Sequence, residues 1–151
     1  MASFCSATLA GKPLTSPEYR QFFAEANRMK LCIFLHPMLP ANADSFREYV
    51  LGPIIGFPFD TSLAVARMCY DGMFEDFPDI RWIIGHLGGA IPYLMERMDN
   101  GFRDFADCRV KIDKLPERVF ETFVLRHRLL QPTYTHNGSQ YGWRGSHGHG
   151  K

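Results

Sequence analysis

An α/β fold built on a parallel sheet is what this sequence predicts, on three observations. Residues 80–85 form a short apolar run with β-branched and aromatic members, the pattern of a strand buried on both faces. His86, Gly88, Gly89 and Pro92 then make a tight turn into a helix over 91–102, giving one βα unit. Upstream, residues 31–35 (LCIFL) run into His36 and Pro37 in the same manner, and no hairpin signal separates the units. Each strand therefore ends on a histidine, at the edge where ligands and chemistry collect in α/β folds.

Taken in order, residues 1–15 read as the end of a strand and the loop after it, punctuated by Gly11, Pro13 and Thr15. Ser16 suits an N-cap, with Pro17 in the first turn and Glu18 at the positive helix end. The helix over 17–29 carries Tyr19, Phe22, Phe23 and Ala26 at i, i+3, i+4 and i+7, one packed face. After the strand ending at His36, a long loop with Pro40, Pro53 and Pro58 holds a short helical piece around 45–49. Asp60 or Thr61 is expected to cap a helix over 62–74, with Leu63, Ala66, Tyr70, Met73 and Phe74 as its apolar stripe. The Phe77–Pro78–Asp79 stretch closes that helix and feeds the strand that ends before His86. Beyond Val124 no period is sustained and Gly, His, Ser and Arg dominate. The expected division is therefore a folded unit over 1–124 and a disordered or out-of-frame tail over 125–151.

Composition narrows the function classes. The chain has 151 residues, enough for one domain or part of one, and 46% hydrophobic content suffices for a core. A formal charge of +1 gives no electrostatic reason to expect nucleic acid or an acidic membrane as partner. Cys5, Cys32, Cys69 and Cys108 are far apart with no CxxC, which suits reduced core thiols and a cytoplasmic location. The start MASFCSATLAGK lacks a charged region followed by a long apolar one, so secretion is not expected. No apolar run is expected to reach the roughly 20 residues of a membrane helix.

Several stretches taken together resemble a known family. They are AGKPL near Gly11, FLHP at 34–37, GFPFDTSLAVARM at 56–68, FPDIRWIIGHLGGAIPYLMERMD at 77–99 and KLPERVFETF near Pro116. In this order and spacing they resemble the amidohydrolase-related family that contains the aminocarboxymuconate-semialdehyde and γ-resorcylate decarboxylases. The resemblance covers roughly four-fifths of the chain. It implies a (β/α)₈ TIM barrel with a divalent metal, usually zinc, at the carboxyl ends of its strands. Such barrels need about 250 residues, so the implied architecture is a partial barrel, from the end of strand four through helix six.

The resemblance also assigns roles. His36 falls on the fifth-strand histidine, a metal ligand in the family. His86 falls on the sixth-strand histidine, which moves protons between water or substrate and the site. Arg97 matches an arginine that in some members holds a substrate carboxylate, reaching a neighbouring subunit's site. The family's first-strand HxH pair and eighth-strand aspartate have no counterpart here, and two histidines are too few for a tight zinc site. The implied activity is metal-dependent decarboxylation, or hydrolysis, of an unsaturated or aromatic carboxylic acid, in a homo-oligomer. The competing class is a catalytically inactive barrel fragment that only self-associates or joins full-length subunits.

Other constellations carry less. Asp60 and Asp99 read as a cap and a surface charge. GHLGGA lacks GxGxxG spacing and a P-loop lysine, and Ser45 and Ser62 lack a GxSxG context. His147 and His149 mimic a ligand pair in a glycine-rich stretch with no strand before them. Read one base later, a permissible back-translation of LRHRLLQPT gives Tyr-Asp-Thr-Val-Ser-Tyr-Ser-Arg-Pro, similar to the family's seventh strand. The hypothesis of an out-of-frame tail predicts that the coding DNA beyond codon 124 spells further barrel units in the shifted frame. Sequencing that DNA checks it, and an early stop in that frame would sink the idea.

Overall fold

In chain order the elements are β1 (Ala2–Ser6), β2 (Thr8–Leu9), β3 (Lys12–Pro13), α1 (Arg20–Arg28) and β4 (Cys32–His36). They continue with α2 (Phe57–Tyr70), α3 (Met73–Asp76), β5 (Arg81–Ile84), α4 (Ile91–Asp104) and α5 (Pro116–His127). The structure is a computed structural model that describes residues 2–9, 11–38 and 43–127. The two histidine-tipped strands are neighbours. β1, β4 and β5 form a parallel sheet in that order, with Ser6 paired to His36 and Leu35 paired to Ile84. Consecutive parallel strands joined through helices are the α/β arrangement that the sequence predicts.

Alternation along β4 and β5 assigns the two faces of this sheet. Ile33, Leu35 and Trp82 are fully buried on one face. There Phe23 of α1 lies 5.7 Å from Trp82, and Phe74 of α3 meets Trp82 edge-on at 6.4 Å and Phe120 of α5 at 5.5 Å, centroid to centroid. Truncating a fully buried aromatic such as Trp82 costs about 3–5 kcal/mol, so this layer dominates the stability. Phe34 and Ile83 pair on the opposite face, where Ile83 is 43% exposed. The expectation of a strand buried on both faces thus fails at Ile83. A continuous apolar run marks a strand that needs two covered faces, and among the described residues only the helical face has its cover.

Several local expectations are corrected. Thr8–Leu9 and Lys12–Pro13 form a small antiparallel hairpin, closed through Gly11 at φ 76°, where only a loop was expected. The second long helix starts at Phe57, after a π-helical turn over Gly52–Gly56, and ends at Tyr70. Gly72 at φ 77° then separates it from α3. Neither Asp60 nor Thr61 caps it: Thr61 is fully buried, and Asp60 accepts the Met38 N–H at 2.8 Å. Its buried stripe is Ala64, Val65, Met68 and Cys69, whereas Leu63 is 49% exposed. Residues 57–70 are apolar on nearly every side, so packing into the common core selects the stripe where periodicity does not.

Asp99 is a further correction. It is only 4% exposed, not a surface charge, and accepts the Glu117 N–H at 3.0 Å. That bond caps α5 from α4, beside Pro116 in the first turn, where a carboxylate also meets the positive helix end. Nearby, the Tyr70 hydroxyl donates to the Met98 carbonyl at 2.7 Å, and burial raises its pKa well above the usual phenol range. The first helix enters through a 3₁₀ turn at Pro17–Tyr19 without a side-chain cap from Ser16. It buries Phe23 and Ala26 but leaves Phe22 exposed. An ion network laces the outer layer: Arg20 pairs with Asp71 at 3.1 Å and with Asp76, Lys111 pairs with Asp71, and Lys114 with Glu75 at 2.7 Å.

Cys32, Cys69 and Cys108 are free thiols, and burial pushes Cys69 up to about 12, so it stays protonated and inert near neutrality. The helical stretch Glu48–Tyr70 spans 23 residues and is apolar enough to cross a membrane by length and composition alone, which corrects the expectation that no run approaches that length. Part of it is buried in the core, and Pro53, Pro58 and the positive φ of Tyr49 and Val50 interrupt it. Where a disordered or out-of-frame tail was expected from residue 125, α5 instead continues through His127. The remainder of that stretch, with His147 and His149, lies outside the described residues.

The buried cap makes a quantitative prediction. Asp99→Ala is expected to lower the unfolding free energy by about 1–2 kcal/mol in urea titrations, through loss of the α5 cap. An unchanged midpoint would show that the Glu117 N–H finds another acceptor.

Candidate active site

Register brings the two strand ends level, and backbone conformation completes the job. Leu35 pairs with Ile84, so His36 lies opposite Gly85 and His86 comes one residue later. With strict alternation, His36 and His86 would project to opposite faces of the sheet. They do not: their rings lie 5.7 Å apart, centroid to centroid, at 58°. The reversal comes from the left-handed backbone of His86, φ 50° and ψ 39°, followed by Leu87 at φ 53°, Gly88 at φ 82° and Gly89 at φ 63°. Non-glycine residues avoid this region, and its cost of order 1–3 kcal/mol is borne where surrounding structure enforces it.

That enforcement is visible on both sides of the turn. A Cβ on Gly85 would lie 3.1 Å from the Leu35 carbonyl oxygen, so glycine lets the strand end close against β4. A Cβ on Gly89 would overlap the Pro58 carbonyl oxygen and Ser62 Oγ of α2. The Ser62 hydroxyl donates to the Pro58 carbonyl at 2.6 Å and accepts the Ala90 N–H at 2.7 Å, tying the turn to the start of α2. On the other strand, His36 Nδ1 lies 2.8 Å from the Pro37 carbonyl oxygen. A carbonyl only accepts, so Nδ1 carries the proton and, in the neutral ring, Nε2 carries the lone pair.

Phe57 forms the wall of the pair, with its centroid 5.9 Å from His36 and 6.1 Å from His86, and Phe34 flanks His36 at 5.9 Å. His86 remains exposed to solvent while His36 is half-buried. Sequence reasoning passed over Phe57 and Gly85 and weighed Ser62 only as a nucleophile. The usable signal was the glycine directly before His86, a residue type that strand patterns disfavour unless another backbone comes close. The third expected site residue, Arg97, sits on the exposed side of α4. It lies six residues after Ile91, about 9 Å along the axis at 1.5 Å per residue. Among the described residues no hydrogen bond or ion pair ties it to either imidazole.

Chemically, two imidazoles side by side can exchange protons with a ligand near neutrality or donate two nitrogens to a metal. Protein zinc sites use three or four donors. Among the described residues no group of three or more His, Cys, Asp or Glu side chains is placed to hold a metal ion. The donors among the described residues therefore do not make a complete metal site.

Comparison with known proteins identifies the lineage. The amidohydrolase family model matches residues 6–145. The chain belongs to the amidohydrolase family. Among curated relatives of this amidohydrolase chain, the 2-amino-3-carboxymuconate-6-semialdehyde decarboxylase of Dictyostelium discoideum is 27% identical over 73% of the chain and 31% of its own length. The γ-resorcylate decarboxylase of Rhodococcus jostii is 34% identical over 56% of the chain and 27% of its own length. The chain thus spans about a third or less of the curated relatives it matches. Among solved structures, 5-carboxyvanillate decarboxylase from Sphingomonas paucimobilis superposes with a TM-score of 0.69 at 25% identity, over 79% of this chain and 37% of that one. A dihydroxybenzoic acid decarboxylase from Polaromonas, solved with bound manganese, has a TM-score of 0.59 at 19% identity, over 78% of this chain and 43% of that one. This likeness shows the fold alone. The three-strand parallel sheet and its helices are therefore a partial barrel.

The tight approach of Gly89 to α2 is testable. Gly89→Ala is expected to destabilise the chain by more than about 2 kcal/mol, because the added methyl meets the Pro58 carbonyl and φ 63° strains any other residue. Thermal or urea unfolding measures it, and a variant as stable as the parent would mean that the turn can move away from α2 at no cost.

Proposed function

We propose that this chain carries the proton-transfer half of an amidohydrolase-type decarboxylase acting on a small aromatic carboxylic acid. The observation that supports this most directly is the approach of the His36 and His86 rings at the carboxyl ends of adjacent parallel strands. The names of its relatives, among them γ-resorcylate and 5-carboxyvanillate decarboxylases, supply the substrate class. Loss of carbon dioxide from such an acid breaks the bond between ring carbon and carboxylate and requires a proton at the same carbon. His86, exposed beside Phe57, is the group proposed to deliver it, an imidazolium being a competent acid near neutral pH.

His36, with Nδ1–H committed to the Pro37 carbonyl, turns Nε2 to ligation of a divalent cation. Zinc and the manganese of the Polaromonas relative are both candidates. The remaining donors must come from outside the described residues, and no chemical step is assigned to the metal here. Arg97 is proposed to pair with a substrate carboxylate in a neighbouring subunit of a homo-oligomer, consistent with its exposed position on α4. A reduced, cytoplasmic setting fits the free thiols.

A second reading has its own support. The exposed Ile83 and the incomplete donor set favour a barrel fragment without turnover, which associates with itself or with full-length subunits through its uncovered face. One experiment separates the two. Purified chain supplied with manganese or zinc is assayed for carbon dioxide release from dihydroxybenzoates, alongside elemental analysis of bound metal. Turnover that falls at least about 100-fold in His86→Gln, with near-stoichiometric metal lost in His36→Ala, is the outcome expected of the enzyme. A metal-free, polydisperse and inactive sample would overturn it in favour of the fragment.

A further inference from the structure

We propose that Ser62 is the positioning residue that holds the His86 imidazole against His36. The proposal rests on the reading of His86 as the proton-transfer group, but its structural content stands on contacts of its own. The left-handed turn that re-aims His86 runs from His86 to Gly89, four successive residues with φ between 50° and 82°. Two of these are non-glycine residues, His86 and Leu87, in a region that both avoid. Strain of this kind relaxes unless the far end of the turn is clamped.

Ser62 sits at that far end. It lies in the second turn of α2 and is 5% exposed, and its hydroxyl makes two hydrogen bonds with opposite roles. It donates to the Pro58 carbonyl one turn earlier in its own helix, which fixes the hydroxyl rotor, and its oxygen then faces the Ala90 N–H. Ala90 directly precedes α4, so its amide is among the first-turn donors that lack an intrahelical acceptor. Ser62 thus caps α4 from another element and closes the turn at the same point. Gly89, pressed on Pro58 and Ser62 with no room for a side chain, is the second contact of the clamp. The same helix begins with Phe57, whose ring touches both imidazoles. The first two turns of α2 therefore place the wall of the site at Phe57 and the clamp on His86 at Ser62. The hydroxyl touches no reacting atom and acts only through His86.

The test uses the full chain with ¹³C-labelled histidine and ¹⁵N-labelled backbone, comparing the parent with Ser62→Ala and Ser62→Thr. In Ser62→Ala the Ala90 amide loses its acceptor. Its hydrogen exchange is expected to accelerate about tenfold, the factor for one hydrogen bond of ordinary strength, while amides of β4 and β5 keep their protection. The cross-relaxation peak between the His36 and His86 rings should weaken or vanish. Ser62→Thr, which keeps the hydroxyl, should restore both signals. Where the parent decarboxylates, Ser62→Ala should lower kcat with KM little changed, since it misplaces an acid without removing a binding group. Should Ser62→Ala fail to fold, Ser62→Cys, which keeps the size but weakens the acceptor, carries the same comparison. Unchanged ring proximity in a folded Ala or Cys variant overturns the proposal, as does a loss in Ser62→Thr as large as in Ser62→Ala. An inactive parent overturns the enzymatic reading alone, because exchange and ring proximity are read without turnover.

Discussion

The parallel pairing of β4 with β5 is the constraint on which the rest of this structure depends. With Leu35 set against Ile84, His36 falls level with Gly85, and the glycine closes on the Leu35 carbonyl with nothing to spare. A slip of β5 by one residue would send Trp82 to the opposite face and strip Phe23 and Phe74 of their partner. The buried side of the sheet thereby dictates where the chemistry on the other side can stand. Placing His86 beside His36 then takes one departure from strand geometry, a left-handed residue directly after the strand.

That departure is supported by packing elsewhere. The aromatic layer of Phe23, Phe74, Phe120 and Trp82 anchors α1, α3 and α5, and α2, buried in the same core through Val65 and Met68, offers Phe57 and Ser62 to the histidine end of the sheet. Stability resides on one face and reactive groups on the other, the division expected where catalytic residues gather at the carboxyl ends of parallel strands. Strain at His86 and Leu87 is consistent with a site whose geometry is imposed rather than relaxed into.

Membership of the amidohydrolase family and a span of about a third of the curated relatives define what this chain brings to a barrel. It brings two adjacent strand ends, two imidazoles and an aromatic wall, together with the helices that hold them. It does not bring, among the described residues, a third metal donor. Among the described residues Ile83 is exposed and no third donor joins the two imidazoles, and in a closed barrel further strands cover that face and border the site.

By itself the sequence determined the parallel α/β class, the two histidine-tipped strands, the glycine turn and the family, because apolar runs ended by His, Gly and Pro are local signals. Residues 80–102 and 31–37 were legible almost to the residue. The tertiary structure decided what local pattern leaves open. Helix 57–70 is apolar on nearly all sides, so its place in the tertiary core selected its buried stripe. Asp99 looks like any helical surface charge until α5 brings an amide to it. Histidine gives no warning that it will adopt a left-handed backbone. The turn of His86 toward His36 is set by Gly89 and Ala90 against α2, contacts between segments 28 residues apart that no periodicity encodes.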